Sequence, residues 1–281
     1  MRQRVSINNI YGHTNTLARN ARLPYVWHIG RFRRLVAQPN QREMGINIIC
    51  DFDGTIALED VTDRLLERFA DESWKDVEAQ WLAGKIGSRD CMARQVSLIQ
   101  ADYGSLNRYL DTVKIDPSFS SFLDRCKGSN EITLHIVSDG IDYAIMRILG
   151  NNKLSSLNVN ANVLVALSGS RYRLEFPHSR PDCDVHAGTC KCAFAQPRGE
   201  KARRASSALL IGDGLSDVCL ASRADFVFAK NRLLVHCREN SIPHLPFTTF
   251  SDVERQFAPV LAALNITQAS GKHFTEIPND A

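Results

Sequence analysis

Three short apolar runs in this chain end alike. "INIIC" (46–50) leads into Asp51-Phe52-Asp53-Gly54, "ITLHIV" (132–137) into Ser138-Asp139-Gly140, and "ALLIG" (208–212) into Asp213-Gly214. Short continuous apolar runs bounded by turn residues suit strands buried on both faces. Amphipathic helical runs fill the first gap ("VTDRLLERFA", "SWKDVEAQWLAGK", "SRDCMARQVSLIQ", "SLNRYLDTV"), and "IDYAIMRIL" follows the second strand. Parallel strands need such crossovers, so the expected class is α/β: a Rossmann-like parallel sheet with helices on both faces. An aspartate leaving a buried strand is costly unless something pairs with its charge.

Further strands are expected from "ANVLVAL" and "RYRLEF", joined as a hairpin by Ser-Gly-Ser, and from "DFVFA", which a helix over 230–239 follows. The helical block is too long for one crossover and reads as a small inserted helical cap over 61–127, on a core formed by 44–60 and 128–266. Residues 267–281 read as a frayed polar tail.

Residues 1–42 carry eight arginines and no acid. Residues 1–43 therefore read as a disordered or over-extended leader, a mitochondrial-type transit peptide or a basic arm, and they are set apart from the fold. Without those arginines the rest holds 26 basic against 31 acidic residues, a net −5. That balance argues against a nucleic-acid partner. No run approaches the ~18 apolar residues of a membrane span. The expected location is the cytoplasm, or the mitochondrion if the leader is a real transit peptide.

Five of the eight cysteines (Cys50, Cys91, Cys126, Cys219, Cys237) fall in strand or helix patterns and read as reduced thiols. Cys183, Cys190 and Cys192 crowd with His178 and His186 in one loop. Structural Zn²⁺ or a labile disulfide are open there, with plain reduced thiols preferred, because Cys190-x-Cys192 is tighter than the usual zinc-ligand spacing.

In open α/β sheets ligands bind outside the carboxyl ends of the strands. One Asp-Gly after a strand is usually a turn. Three, gathered by one sheet, cluster carboxylates, a hydroxyl and backbone N–H groups, which suits a divalent cation and a phosphate. Mg²⁺ favours hard oxygen ligands; Asp51 and Asp213 could offer carboxylates and Asp53 its carbonyl. The N–H groups of Asp53, Gly54 and Thr55 are expected to face phosphate oxygens.

The pattern Asp51-x-Asp53-x-Thr55, then Ser138, a lysine and "GDGLSD" with Asp213 and Asp217 resembles the haloacid dehalogenase superfamily over residues 46 to about 220. The insertion after the first motif is similar to the cap of the phosphoserine phosphatase branch. "FPHS", the loop ending in Cys190-Lys191 and "CRENSIPHLPFTTF" resemble the methionine-salvage phosphatases acting on 2-hydroxy-3-keto-5-methylthiopentenyl-1-phosphate.

That resemblance implies a Mg²⁺-dependent hydrolase of a small phosphomonoester. Asp51 is the implied nucleophile, forming a phosphoaspartate, and Asp53 the acid and then base. Thr55, Ser138, Asp139, Gly140 and Lys191 are implied to bind the phosphoryl group, and Asp51, Asp53 and Asp213 the metal. Asp217 supports the metal or the lysine; as a bland alternative it is a first-turn helix carboxylate. Lys201 competes with Lys191, which is preferred because its 22-residue lead to Asp213 leaves room for a helix, turn and strand. Ser216 stands where the family often has Asn. Asp60 either meets substrate or caps the first cap helix. Phosphoserine, phosphoethanolamine or phosphocholine are rival substrates, and a phosphotransferase or phosphate-binding relative is the rival class.

Overall fold

The run at 46–50 becomes the central strand of a seven-stranded sheet because its side chains find apolar cover on both faces. The computed structural model describes residues 45–167, 170–195 and 206–264. The expected leader (1–43), the tail (267–281) and Lys201 lie outside the described residues.

The strands are β1 (Gly45–Cys50), β2 (Ile132–Ile141), β3 (Val159–Ala166), β4 (Tyr172–Glu175), β5 (Ser206–Gly212), β6 (Phe226–Ala229) and β7 (His244–Pro246). Their order is β4-β3-β2-β1-β5-β6-β7. Every neighbouring pair is parallel except β3 with β4, the hairpin read from the sequence. The chain leaves β1 toward β2 on one side and returns to β5 on the other, which opens a crevice at the carboxyl ends where ligands bind in such sheets. β7 was not expected: it is a three-residue edge strand ending in Pro246, too short to show a period.

Ile49, Leu210, Val227 and Ala229 pack on one side of the sheet against Phe194, Leu220, Leu233 and Cys237. These come from the short helix α7 (Cys192–Ala195), α8 (Val218–Ala221) and α9 (Asn231–Glu239). A separate aromatic layer joins α5 (Phe119–Lys127) to α10 (Phe250–Ala263). Phe119 and Phe250 lie 4.9 Å apart, and Phe122 lies 5.3 Å from both Phe250 and Phe257. All four rings are essentially inaccessible, each contributing roughly 1.5–3 kcal/mol by leaving water. Buried Asp116 ties the same two helices, accepting from the N–H of Ser118 (2.8 Å) and of Phe250 (2.9 Å).

Four helices, α1 (Val61–Phe69), α2 (Trp74–Leu82), α3 (Ser88–Ser97) and α4 (Tyr103–Leu110), form the insertion after β1. α5, at the end of the expected 61–127 cap, instead packs on β2 and α10 in the core layer. Its buried face, Phe119, Phe122, Leu123 and Cys126, decides this, and helical period alone does not say which partner such a face meets.

β2 runs past its expected end at residue 137. Val137 pairs with Asn160 and Ile141 with Asn162, so two extra residues are accommodated on β2 between these pairs. Such an irregularity re-aims side chains. Here it carries Ser138, Asp139 and Gly140 to the crevice. α6 (Asp142–Asn151) follows directly.

Candidate active site

Asp51 is 4% exposed at the end of β1, held to β5 by its N–H on Ile211 O (2.9 Å). Its carboxylate accepts from the N–H of Phe52 (2.8 Å) and pairs with Lys191 Nζ (2.8 Å). Lys191, 2% exposed, also reaches Asp217 (2.5 Å) and donates to Ser216 Oγ (3.0 Å). Burial alone would lower the lysine, but Asp217 and Asp51 hold it above its ordinary value. Burial and the nearby Asp217 push Asp51 well up, against the pull of Lys191.

Asp53 stands apart from that ion pair. It accepts from the N–H of Val61 and from Thr62 Oγ1, both at 3.2 Å. Burial, then Asp60, raise it well above its ordinary value, which favours its protonated form. Gly140 makes room for it: a Cβ there would collide with the Asp53 carboxylate and lie 3.1 Å from Ser138 Oγ.

The turn from Phe52 to Ala57 closes on itself. The N–H groups of Thr55, Ile56 and Ala57 donate to Phe52 O, and that of Gly54 to Glu59 O. The expectation that Gly54 and Thr55 aim their N–H groups at phosphate is therefore not met, because the carbonyls of Glu59 and Phe52 take them. Gly54 adopts φ +62°, and a Cβ there would sit 2.5 Å from Asp213 Oδ2. Inaccessible Thr55 donates its hydroxyl to Asp213 Oδ1 (3.2 Å).

Asp213 also accepts from Asn231 Nδ2 (3.1 Å) and is raised by burial and Asp217. Asp217 is fully buried and accepts from the N–H groups of Asp213 and Gly214, both at 3.0 Å. One carboxylate thus shapes the strand-end turn and anchors the lysine. Ser138, 1% exposed, accepts from Gly140 N–H (3.0 Å). The Asp139 carboxylate turns aside, accepting from Ser88 Oγ (2.5 Å), Thr189 N–H (2.9 Å) and Asn162 Nδ2 (3.2 Å). Asp60 caps α1 by accepting from Asp63 N–H (2.9 Å) and also lines the cavity.

Oxygens of Asp51, Asp213 and Asp217 lie within 4.8 Å of one another, the one such group among the described residues. Three carboxyls crowd beside one buried lysine that pairs with two of them, and an all-oxygen donor set fits Mg²⁺. The Cys/His loop brings no such set together: His186 lies against Gly87, while Cys183, Cys190 and Cys219 pack with Ala187.

A cavity of about 370 Å³ joins these groups to the cap. Its lining adds residues for which the sequence offered no signal: Asp63, Glu78, Trp81, Met92 and Gln95 from the cap, and Arg232 from α9. A polar residue on an amphipathic helix reads as solvated until tertiary packing turns it over a site.

The family model for haloacid dehalogenase-like hydrolase matches residues 48–222. The 2-hydroxy-3-keto-5-methylthiopentenyl-1-phosphate phosphatase of Exiguobacterium sp. is 31% identical over 216 residues, covering 75% of this chain and 96% of that protein. The enzyme of the same name from Bacillus cereus is 28% identical over 221 residues, covering 78% and 98%. Among solved structures, a phospho-aspartyl intermediate analogue of phosphoserine phosphatase superposes with TM-score 0.55 at 17% identity, covering 75% of this chain and 98% of that one. A substrate-bound phosphoserine phosphatase gives 0.56 at 16% identity, covering 76% and 99%. At such identities these two likenesses speak for the fold.

Proposed function

The chain belongs to the haloacid dehalogenase-like hydrolases, and from that premise we propose that it hydrolyses a small phosphomonoester, 2-hydroxy-3-keto-5-methylthiopentenyl-1-phosphate, through a phosphoaspartate on Asp51. The observation that carries this reading is the difference in surroundings between two aspartates. Asp51 is ion-paired to Lys191, whereas Asp53 accepts from uncharged donors, the Val61 N–H and the Thr62 hydroxyl; both carboxyls are raised above their ordinary value. A cation beside one carboxyl and uncharged donors around the other suit the first to attack and the second to carry a proton.

Asp51 attacks phosphorus, forming the P–O bond to its carboxylate as the bond to the leaving oxygen breaks. Asp53 gives that oxygen its proton. It then takes one from water, which attacks the phosphoaspartate and releases phosphate and Asp51. Lys191 offsets negative charge on the transferring group from a buried position, where such charge counts most. Asp51, Asp213 and the Asp53 carbonyl would hold Mg²⁺, which supplies further charge neutralisation at the phosphoryl oxygens when bound. The Ser138 hydroxyl, oriented by the Gly140 N–H, completes the phosphoryl side together with the backbone at Asp139, and the cap excludes water.

Trp81 and Met92 give the cavity an apolar, polarizable wall suited to a methylthio group. A second reading has its own support: Asp60, Asp63 and Glu78 on the same cavity favour an ammonium-bearing ester such as phosphoethanolamine or phosphoserine. Phosphate release from these esters, with Mg²⁺ and with EDTA, by wild type and Asp51→Asn decides between them. The expected result is metal-dependent turnover, fastest on the methylthiopentenyl ester and lowered at least about 10³-fold by the substitution. Turnover on none of the esters sinks the proposal.

A further inference from the structure

Lys191 stands between two cysteines, Cys190 and Cys192, and its partner Asp217 lies two residues before a third, Cys219. The fold brings two of these thiols together: Cys192 Sγ and Cys219 Sγ are 3.1 Å apart, across 27 residues of chain. A disulfide has an S–S length of about 2.05 Å, so about 1 Å of approach closes the pair.

The surroundings are asymmetric. Cys192 is partly exposed at the start of α7, whereas Cys219 is 5% exposed in α8. The Cys219 thiol donates to Asp184 Oδ2 (3.6 Å), and Arg223 pairs with the same oxygen (2.8 Å). Cys183 and Cys190 lie in the same buried cluster, so two further thiols compete for any bond that forms.

We propose that Cys192 and Cys219 are a dithiol that peroxide closes to a disulfide, and that this crosslink restrains the Lys191–Asp217 pair. The Cys192 thiolate attacks one peroxide oxygen, giving a sulfenic acid and releasing water. The Cys219 sulfur then attacks the sulfenic sulfur, forming S–S and releasing a second water. Two thiols lose two electrons and two protons, and one peroxide is reduced to two waters. Burial and the neighbouring Cys219 thiol push Cys192 up, which lowers its thiolate fraction and slows the first step.

The consequence for turnover rests on the role of Lys191 proposed above; the crosslink itself does not. A shift of up to about 1 Å next to a charge-stabilising lysine is enough to lower turnover substantially. A bond closing this long a loop also constrains the unfolded chain.

The test treats full-length protein with hydrogen peroxide and reads intact mass, peptide map, melting temperature and phosphate release before and after dithiothreitol. Expected are a loss of two mass units mapped to Cys192–Cys219, a melting temperature higher by roughly 5 °C, and turnover about tenfold lower that dithiothreitol restores. Cys192→Ala and Cys219→Ala, shown to fold by their reduced melting curves, should each lose all three responses. A crosslink mapping to Cys183 or Cys190 overturns the pairing. A Cys192–Cys219 crosslink that moves neither melting temperature nor turnover overturns the restraint. Absence of turnover in the reduced enzyme bears on the proposed function alone, because mass and melting still read the crosslink.

Discussion

Ser88 of the cap donates its hydroxyl to the Asp139 carboxylate of the core at 2.5 Å, with both side chains buried. Close by, Arg89 N–H donates to His186 O (2.9 Å). This is where the insertion is fastened beside the part of the cavity lined by Ser138, Asp139 and Gly140. Asp139 keeps Thr189 and Asn162 when Ser88 is lost. Ser88→Ala should therefore leave the fold intact and weaken cap closure, lowering kcat/KM about tenfold, as the loss of one charge-assisted bond of about 1.5 kcal/mol predicts. Steady-state kinetics that match wild type would remove the fastening role.

Lys191 neutralises two buried carboxylates at once. Lys191→Met should abolish turnover and cost about 3–5 kcal/mol of stability, because Asp51 and Asp217 are left without a counter-charge. Adding Asp217→Asn should recover part of the stability and none of the activity. Denaturant melts of the single and double variants check this; additive losses would contradict it.

Gly140→Ala places a methyl against the Asp53 carboxylate. The expected outcome is a fall in kcat of about 10²-fold, the scale of a displaced general acid, with a smaller change in KM. Rapid-quench detection of the phosphoaspartate would show whether the loss falls on its formation, its breakdown or both.

Without metal, the raised values of Asp51 and Asp213 mean that the folded chain keeps protons the unfolded chain has released. Their contribution to stability is full below the unfolded carboxylate value near 4 and is lost as pH rises through the folded values. In EDTA, Asp213→Asn should therefore gain on wild type in melting temperature as pH rises from about 4 toward neutrality. Mg²⁺ competes with those protons, so its stabilisation of wild type should grow with pH. At a hundredfold excess over Kd it should reach about 2.7 kcal/mol. Asp213→Asn should show little of it. Calorimetric scans with and without Mg²⁺ read both differences.

Asp63, exposed at the mouth of the cavity, is pushed up to about 7 by partial desolvation and by Asp60, Glu78 and Glu67. Its charge therefore changes near neutral pH, on a cavity meant for an anion. KM for the methylthiopentenyl ester should rise as pH passes 7, and Asp63→Asn should flatten that rise. Phosphoethanolamine, with its ammonium, should show the opposite slope. A pH profile of KM for both esters tests the two readings together.

Much of this architecture is written locally. Three apolar runs ending in Asp or Ser with Gly are short-range signals, and residues 48–222 match the haloacid dehalogenase-like family model. The sheet and the gathering of Asp51, Ser138 and Asp213 follow from strand period and from the rule that ligands sit at strand ends. Helical stretches were legible for the same reason, since each amphipathic face repeats within a few residues.

Contacts between elements were not legible, because period says that a face is buried and not what buries it. Only the packed chain puts Lys191 on Asp51, turns Asp139 toward Ser88, and lays Cys219 beside Cys192. Only it ties the N–H groups of Gly54 and Thr55 to the carbonyls of Glu59 and Phe52 and sends α5 to the core layer. Local chemistry determined which residues could form the site. Long-range packing, which fixes side chains across many residues of intervening chain, decided which of them meet.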